Sequence, residues 1–139
     1  MRLKAMAKIN LGLDVLGKRE DGYHEVRMIM QTIRMYDILD IRKTRRPGIV
    51  LTTNLPFIPT DQRNLVYKAA QMLMEEFDVE EGLSIKLRKF IPVAAGMAGG
   101  SSDAAAAFVG VNRMFHLGLT EEQLMERAVK VGADVPYCI

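Results

Sequence analysis

The stretch Pro92 to Ala107 reads P-V-A-A-G-M-A-G-G-S-S-D-A-A-A-A, and it is the part of the chain best suited to hold an anion. Gly96, Gly99 and Gly100 permit positive φ and leave no Cβ in the way of a close ligand. Ser101, Ser102 and Asp103 favour the start of a helix. A helix start presents unpaired N–H groups and the positive end of a macrodipole, which suits phosphate oxygens. The dipole alone contributes roughly 0.3–1 kcal/mol at an exposed site, so aimed N–H groups must supply most of the grip. The spacing Gly96-x-x-Gly99-Gly100 is neither G-x-G-x-x-G nor G-x-x-x-x-G-K-[ST], and no lysine follows the last glycine. A dinucleotide fingerprint and a Walker loop are both disfavoured. The competing reading is a plain Gly/Ala connector between a strand and a helix. A second candidate pair is Lys8 and Asn10, two residues apart on an alternating run and so about 6–7 Å apart on one side of a strand. As residue types they are equally compatible with a solvated polar face.

These residues need elements to position them. Leu3 to Leu16 alternates, with Ile9, Leu11, Leu13 and Val15 predicted to face the core and Lys8, Asn10, Gly12 and Asp14 the other way, and with a break near Ala5–Ala7. Gly17 to Gly22 is a turn. Val26 to Ile33, Asp37 to Lys43 and Ile49 to Thr53 read as three further strands of a meander, which argues for an α+β domain. Asn64 to Phe77 has the apolar spacing of an amphipathic helix. Leu83 to Arg88 alternates as a strand leading into the glycine loop, and Ala104 to Phe115 reads as the helix behind it. Thr120-x-x-Gln123 is a capping box that opens a short helix through Lys130. Val135 to Ile139 reads as the first residues of a buried strand.

Composition bounds the function. A chain of 139 residues, 49% hydrophobic and 26% charged, suits one globular domain. The net charge of +2 is too small to imply nucleic acid by itself, although residues 1–46 carry 11 basic against 6 acidic side chains. A basic N-terminal part suits a polyanionic ligand or a solvated face. An RNA-binding module is disfavoured because the arginines are not interleaved with aromatics, which make up 6% of the chain. The single cysteine, Cys138, excludes an internal disulfide, and His24 and His116 share no metal-like spacing. No apolar run approaches the 18 residues of a membrane span. The expectation is a cytoplasmic protein with neither membrane nor nucleic acid as a partner.

The string P-V-A-A-G-M-A-G-G-S-S-D-A-A resembles the second signature motif of the GHMP kinases, whose loop wraps the triphosphate of ATP. Four further strings extend the resemblance: A-K-I-N-L-G-L-D-V at 7–15, K-R-E-D-G-Y-H-E-V at 18–26, R-N-L-V at 63–66 and G-A-D-V-P at 132–136. Together they resemble the branch of the family that serves the non-mevalonate isoprenoid pathway. That resemblance implies ATP-dependent phosphorylation of a hydroxyl of a small molecule, cytidine diphosphate methylerythritol. It implies Asp134 as the catalytic base, with Lys8 beside it stabilising charge on the transferred phosphoryl group. Asn10 and His24 would bind substrate and Tyr23 would stack on the cytosine ring. Pro92, Val93, Ala94, Ala95, Gly96, Met97, Ala98, Gly99, Gly100, Ser101 and Ser102 would hold the ATP phosphates, with Ser102 nearest Mg2+. Asn64 and Lys89 would lie near the adenine. The implied fold is α+β, a ribosomal-protein-like sandwich with a left-handed β-α-β unit.

The resemblance also implies longer chains with a C-terminal domain. Residues 1–139 are therefore expected to be an N-terminal ATP-binding domain cut short, with self-association through the faces left open. Two alternatives stand beside the kinase reading: a non-catalytic nucleotide-binding fragment, and another small-molecule kinase of the same superfamily.

Overall fold

The computed structural model describes residues 1–22 and 24–139. Four strands form one mixed sheet: β1 (Arg2–Lys18), β2 (His24–Thr44), β3 (Ile49–Thr53) and β4 (Gly82–Arg88), in the order β1-β2-β4-β3. β1 pairs antiparallel with β2 and β2 with β4, whereas β3 runs parallel to β4. Helix α1 (Leu65–Glu76) makes the crossover between β3 and β4, so the expected β-α-β unit is present and the simple meander is not. Helices α2 (Gly99–Phe115) and α3 (Glu121–Ala128) follow, and a single 3-10 turn spans Pro136–Cys138.

The core explains the pattern. Leu39 and Ile41 of β2, Leu51 of β3, and Leu83, Ile85 and Leu87 of β4 point one way, and α1 and α2 cover them. Helix α2 packs closely against both α1 and the sheet because its buried face is Ala104, Ala105, Ala107 and Gly110, with Phe108 and Val111 filling the space between. A Cβ on Gly110 would stand 2.4 Å from Cδ1 of Ile41, so the helix approaches the sheet as closely as a bare backbone allows. Thr120 and Gln123 cap α3 reciprocally, as their spacing predicts.

Four sequence expectations are corrected. Residues 26–33 and 37–43 are not two strands but parts of one, since nothing between them breaks the backbone and β1 pairs along its length. The face Ile9, Leu11, Leu13, Val15 is not buried: Leu11 and Val15 are each 61% exposed, because this part of the β1–β2 ladder reaches beyond the helices that would cover it. Helix α2 begins at Gly99 rather than Ala104. The segment 135–139 is no strand: Val135 is fully buried, Pro136 opens the 3-10 turn, and the amides of Cys138 and Ile139 bond back to Val135 and Pro136.

Candidate active site

The glycine loop has an alternating backbone. Ala94, Gly96 and Ala98 have φ of 60°, 72° and 54°, while Ala95 and Met97 between them do not enter the left-handed region. Successive N–H groups in such an alternation turn inward and form an anion-binding concavity. Ala98 is the N-cap of α2 and offers no side-chain hydrogen bond, so the N–H groups of the first turn are not consumed by a cap. The serines predicted to start the helix lie instead inside its first turn, with the Ser102 amide already bonded to the Ala98 carbonyl at 2.8 Å.

The loop is tied to β1 where the ladder slips. The register shifts between Met6 and Lys8, and there the Lys8 N–H donates to the Met97 carbonyl at 3.1 Å. This is the irregularity expected near Ala5–Ala7. The Lys8 side chain is buried, 5% exposed, rather than solvated. Its ammonium donates to Asn10 Oδ1 at 3.0 Å and lies 3.7 Å from Oδ2 of Asp134, which is about half exposed in the turn after α3. Lys8, Asn10 and Asp134 are thus brought together from opposite ends of the chain.

Two cavities flank the start of α2. One, of about 450 Å3, is lined by the loop from Pro92 to Ser101 together with Phe57, Asn64, Lys89 and Asp103. The other, of about 370 Å3, is lined by Lys8, Thr32, Ser102, Arg113, Tyr137 and Cys138 among others. Burial pushes the Cys138 thiol up to about 11, with Asp134 adding to the effect. The first cavity takes the loop, Asn64 and Lys89, and the second takes Lys8 and Ser102.

Asn64 and Lys89 border the first cavity, but their polar groups are already engaged. Asn64 is the N-cap of α1: its Oδ1 accepts from Val66 N at 2.9 Å and its Nδ2 donates to the Pro59 carbonyl at 2.8 Å. The Lys89 ammonium is buried between two carboxylates, donating to Asp37 and, at 2.7 Å, to Asp103. Burial, opposed by Lys89 and reinforced by Asp37, pushes the Asp103 carboxyl up to about 7. The signal for this ion cluster lies in tertiary placement and is absent from any local motif.

His24 lies further along the β1–β2 ladder. It pairs with Lys18 at the far end of the ladder, ten residues along β1 from Lys8, about 30 Å of strand at ~3.3 Å per residue. Tyr23 lies outside the described residues. No three His, Cys, Asp or Glu side chains gather as a metal site among the described residues. The Ser102 hydroxyl, which lines the Lys8 cavity, could take one position of a Mg2+ that keeps waters and takes its other oxygens from phosphates. No helix among the described residues is long and apolar enough to cross a membrane.

Comparison with known proteins agrees with this geometry. The GHMP kinases N terminal domain matches residues 64–139, just over half of the chain. A protein of Caldicellulosiruptor bescii named 4-diphosphocytidyl-2-C-methyl-D-erythritol kinase is 56% identical over the whole of this chain, which covers 49% of it. A protein of the same name from Lachnoclostridium phytofermentans is 56% identical over 99% of this chain and 47% of its own length. The chain thus spans about half the length of the curated relatives it matches. The crystal structure of a 4-(cytidine 5'-diphospho)-2C-methyl-D-erythritol kinase, 35% identical, superposes on 99% of this chain and 48% of its own with a TM-score of 0.86. The mevalonate kinase of Methanococcus jannaschii, 17% identical with a TM-score of 0.71, shares the fold. With the loop, the β-α-β unit and the sequence match in agreement, the chain belongs to the GHMP kinases.

Proposed function

We propose that residues 1–139 are the ATP-binding N-terminal domain of a kinase that phosphorylates a hydroxyl of 4-diphosphocytidyl-2-C-methyl-D-erythritol, the reaction for which its relatives are named. The observation that carries this reading is the Lys8–Asp134 pair, 3.7 Å apart and reached by the anion-receiving loop through Met97. Phosphoryl transfer asks a protein mainly for positioning and charge stabilisation, with a base near the attacking hydroxyl.

Each residue has a part. The N–H groups of Gly96 to Ser101 hold the phosphates of ATP, with the adenosine portion in the cavity bordered by Asn64 and Lys89. The acceptor occupies the cavity of Lys8 and Ser102, with its reacting hydroxyl on Asp134. The Asp134 carboxylate takes the hydroxyl proton as the oxygen attacks the γ-phosphorus and the bond to the ADP oxygen breaks. The Lys8 ammonium, oriented by Asn10, faces the negative charge on the transferred group. A Mg2+ bound with the phosphates would neutralise their charge, with the Ser102 hydroxyl as its protein oxygen. His24, at the far end of the ladder from Lys8, belongs in this reading to the cytidine end of the acceptor rather than to its reacting hydroxyl.

Asp134→Asn is the decisive change. In residues 1–139 fused to the remaining half of the Caldicellulosiruptor relative, it should lower turnover by about 10²–10⁴-fold, the usual worth of a general base. ATP affinity by calorimetry should barely move, since the group acts in the transition state. Near-normal turnover would place the base elsewhere.

A further inference from the structure

Asp37 occupies a core position. On β2 it shares the inward face with Leu39 and Ile41, and it is the most deeply buried carboxylate among the described residues, with no exposed surface. A carboxylate there is tolerated only if it is paired and hydrogen-bonded. Its Oδ1 accepts the backbone N–H groups of Phe90 and Ile91, the latter at 2.8 Å, and its Oδ2 accepts the Lys89 ammonium. Lys89 donates in turn to Asp103 Oδ2 at 2.7 Å. Phe90 and Ile91 lie immediately before Pro92, where the glycine loop begins. Asp103 lies immediately after Ser102, where it ends. One carboxylate and one ammonium therefore clamp both ends of the loop.

The loop requires such a clamp. Ala94 and Ala98 sit in the left-handed region, at roughly 1–3 kcal/mol each, and such residues persist only where their surroundings over-determine them. No side chain caps α2. The Lys89 ammonium also stands 3.2 Å from where a Cβ on Gly99 would be, directly under the first helical residue.

We propose that Asp37 is a positioning residue for the nucleotide loop. It acts through Lys89, Asp103 and the 90–91 backbone to hold the alternating loop in its anion-receiving shape, and neither its carboxylate nor the Lys89 ammonium contacts the nucleotide. The assignment rests on the reading of the loop as a phosphate cradle.

Two measurements test it in the 139-residue chain. Amide hydrogen exchange across residues 93–101, without nucleotide, reads the loop; calorimetry reads the dissociation constant for MgATP. The double variant Lys89→Met/Asp103→Leu removes the strut and leaves Asp37 buried without its ammonium, held by the 90–91 amides alone, which costs stability. We expect its melting temperature to fall, its loop amides to exchange at least tenfold faster relative to the amides of β4 and its affinity for MgATP to fall at least tenfold. Asp37→Asn, which can still accept from the 90–91 amides, should show the same pattern more weakly. Asp103→Asn, which can still accept from Lys89, should leave the loop exchange as in the wild type. A folded double variant with unchanged loop exchange and unchanged MgATP affinity overturns the proposal; should the double variant fail to fold, Asp37→Asn decides by the same criteria. If the wild type binds no MgATP, the cradle reading fails, and the exchange measurement still decides whether Asp37 holds the loop.

Discussion

Asp103 carries a testable pH signature. Its carboxyl is pushed by burial up to about 7, from an ordinary value near 4. Between those values the folded chain binds a proton that the unfolded chain does not, so this group's contribution to stability falls as pH rises from about 4 to about 7 and is level above. Asp103→Asn has no such slope. Its melting temperature relative to the wild type should therefore rise steadily across that window, and a constant difference would mean that Asp103 titrates normally. At this scale the sequence is informative where a role is local. The shared side of Lys8 and Asn10 follows from the period of a strand, and their hydrogen bond bears it out. Asn64 reads as a helix start and is one. Asp37 cannot be read this way, because its partners lie more than 50 positions away and nothing in Tyr36-Asp37-Ile38 marks it as different from any strand polar residue.

The start of α2 is the element on which the proposed chemistry rests, and its two glycines differ. A Cβ on Gly100 would meet only Leu65 Cδ1, at an ordinary 3.7 Å, whereas one on Gly99 would press on Ile91 at 3.1 Å and on the Lys89 ammonium. Gly100→Ala should leave stability equal or slightly higher, since alanine gains up to about 1 kcal/mol over glycine inside a helix. Any loss of MgATP affinity in that variant reports a clash with ligand alone. Gly99→Ala should lose affinity and stability together. Urea unfolding beside calorimetry separates the two cases, and unchanged affinity in both variants would show that phosphates do not approach this turn. The glycines and serines advertise the loop in the sequence. They do not advertise the left-handed alanines on either side of Gly96, because alanine has no preference for that region and only the surrounding fold imposes it.

Across the molecule, the β1–β2 ladder divides into a part roofed by helices and an arm that is not. Leu11, Leu13, Val15, Leu16, Val26 and Ile29 are all exposed on the arm. Leu13, Val15 and Val26 share one face of the arm, since Val15 pairs with Val26, and apolar surface grouped in this way favours association. The terminal segment, expected to be the open face, is instead folded back with Val135 fully buried and Cys138 and Ile139 packed against the core. Leu13→Lys/Val15→Lys should therefore suppress concentration-dependent self-association on a sizing column, with little change in stability because both sites are exposed. A wild-type chain that elutes as a monomer at every concentration would remove the arm from consideration. The α+β class was legible from the mixture of alternating and helical runs. The sheet order was not, because the parallel pairing of β3 with β4 depends on α1 packing across them rather than on any turn signal. Nor was the exposure of the arm, since alternation specifies which residues share a side but not whether anything covers it.

The pairing of Lys8 with Asp134 has a consequence in time. Asp134, the proposed base, is synthesised 126 positions after Lys8, so at roughly 5–20 residues per second a ribosome needs about 6–25 s to supply it. The local β1–β2 hairpin closes long before then, and through that interval Asn10 is the side chain within reach of the Lys8 ammonium. A nascent chain therefore completes the proposed lysine site first, the loop second and the proposed base last, so the Lys8–Asp134 pair forms only after every element between them has emerged.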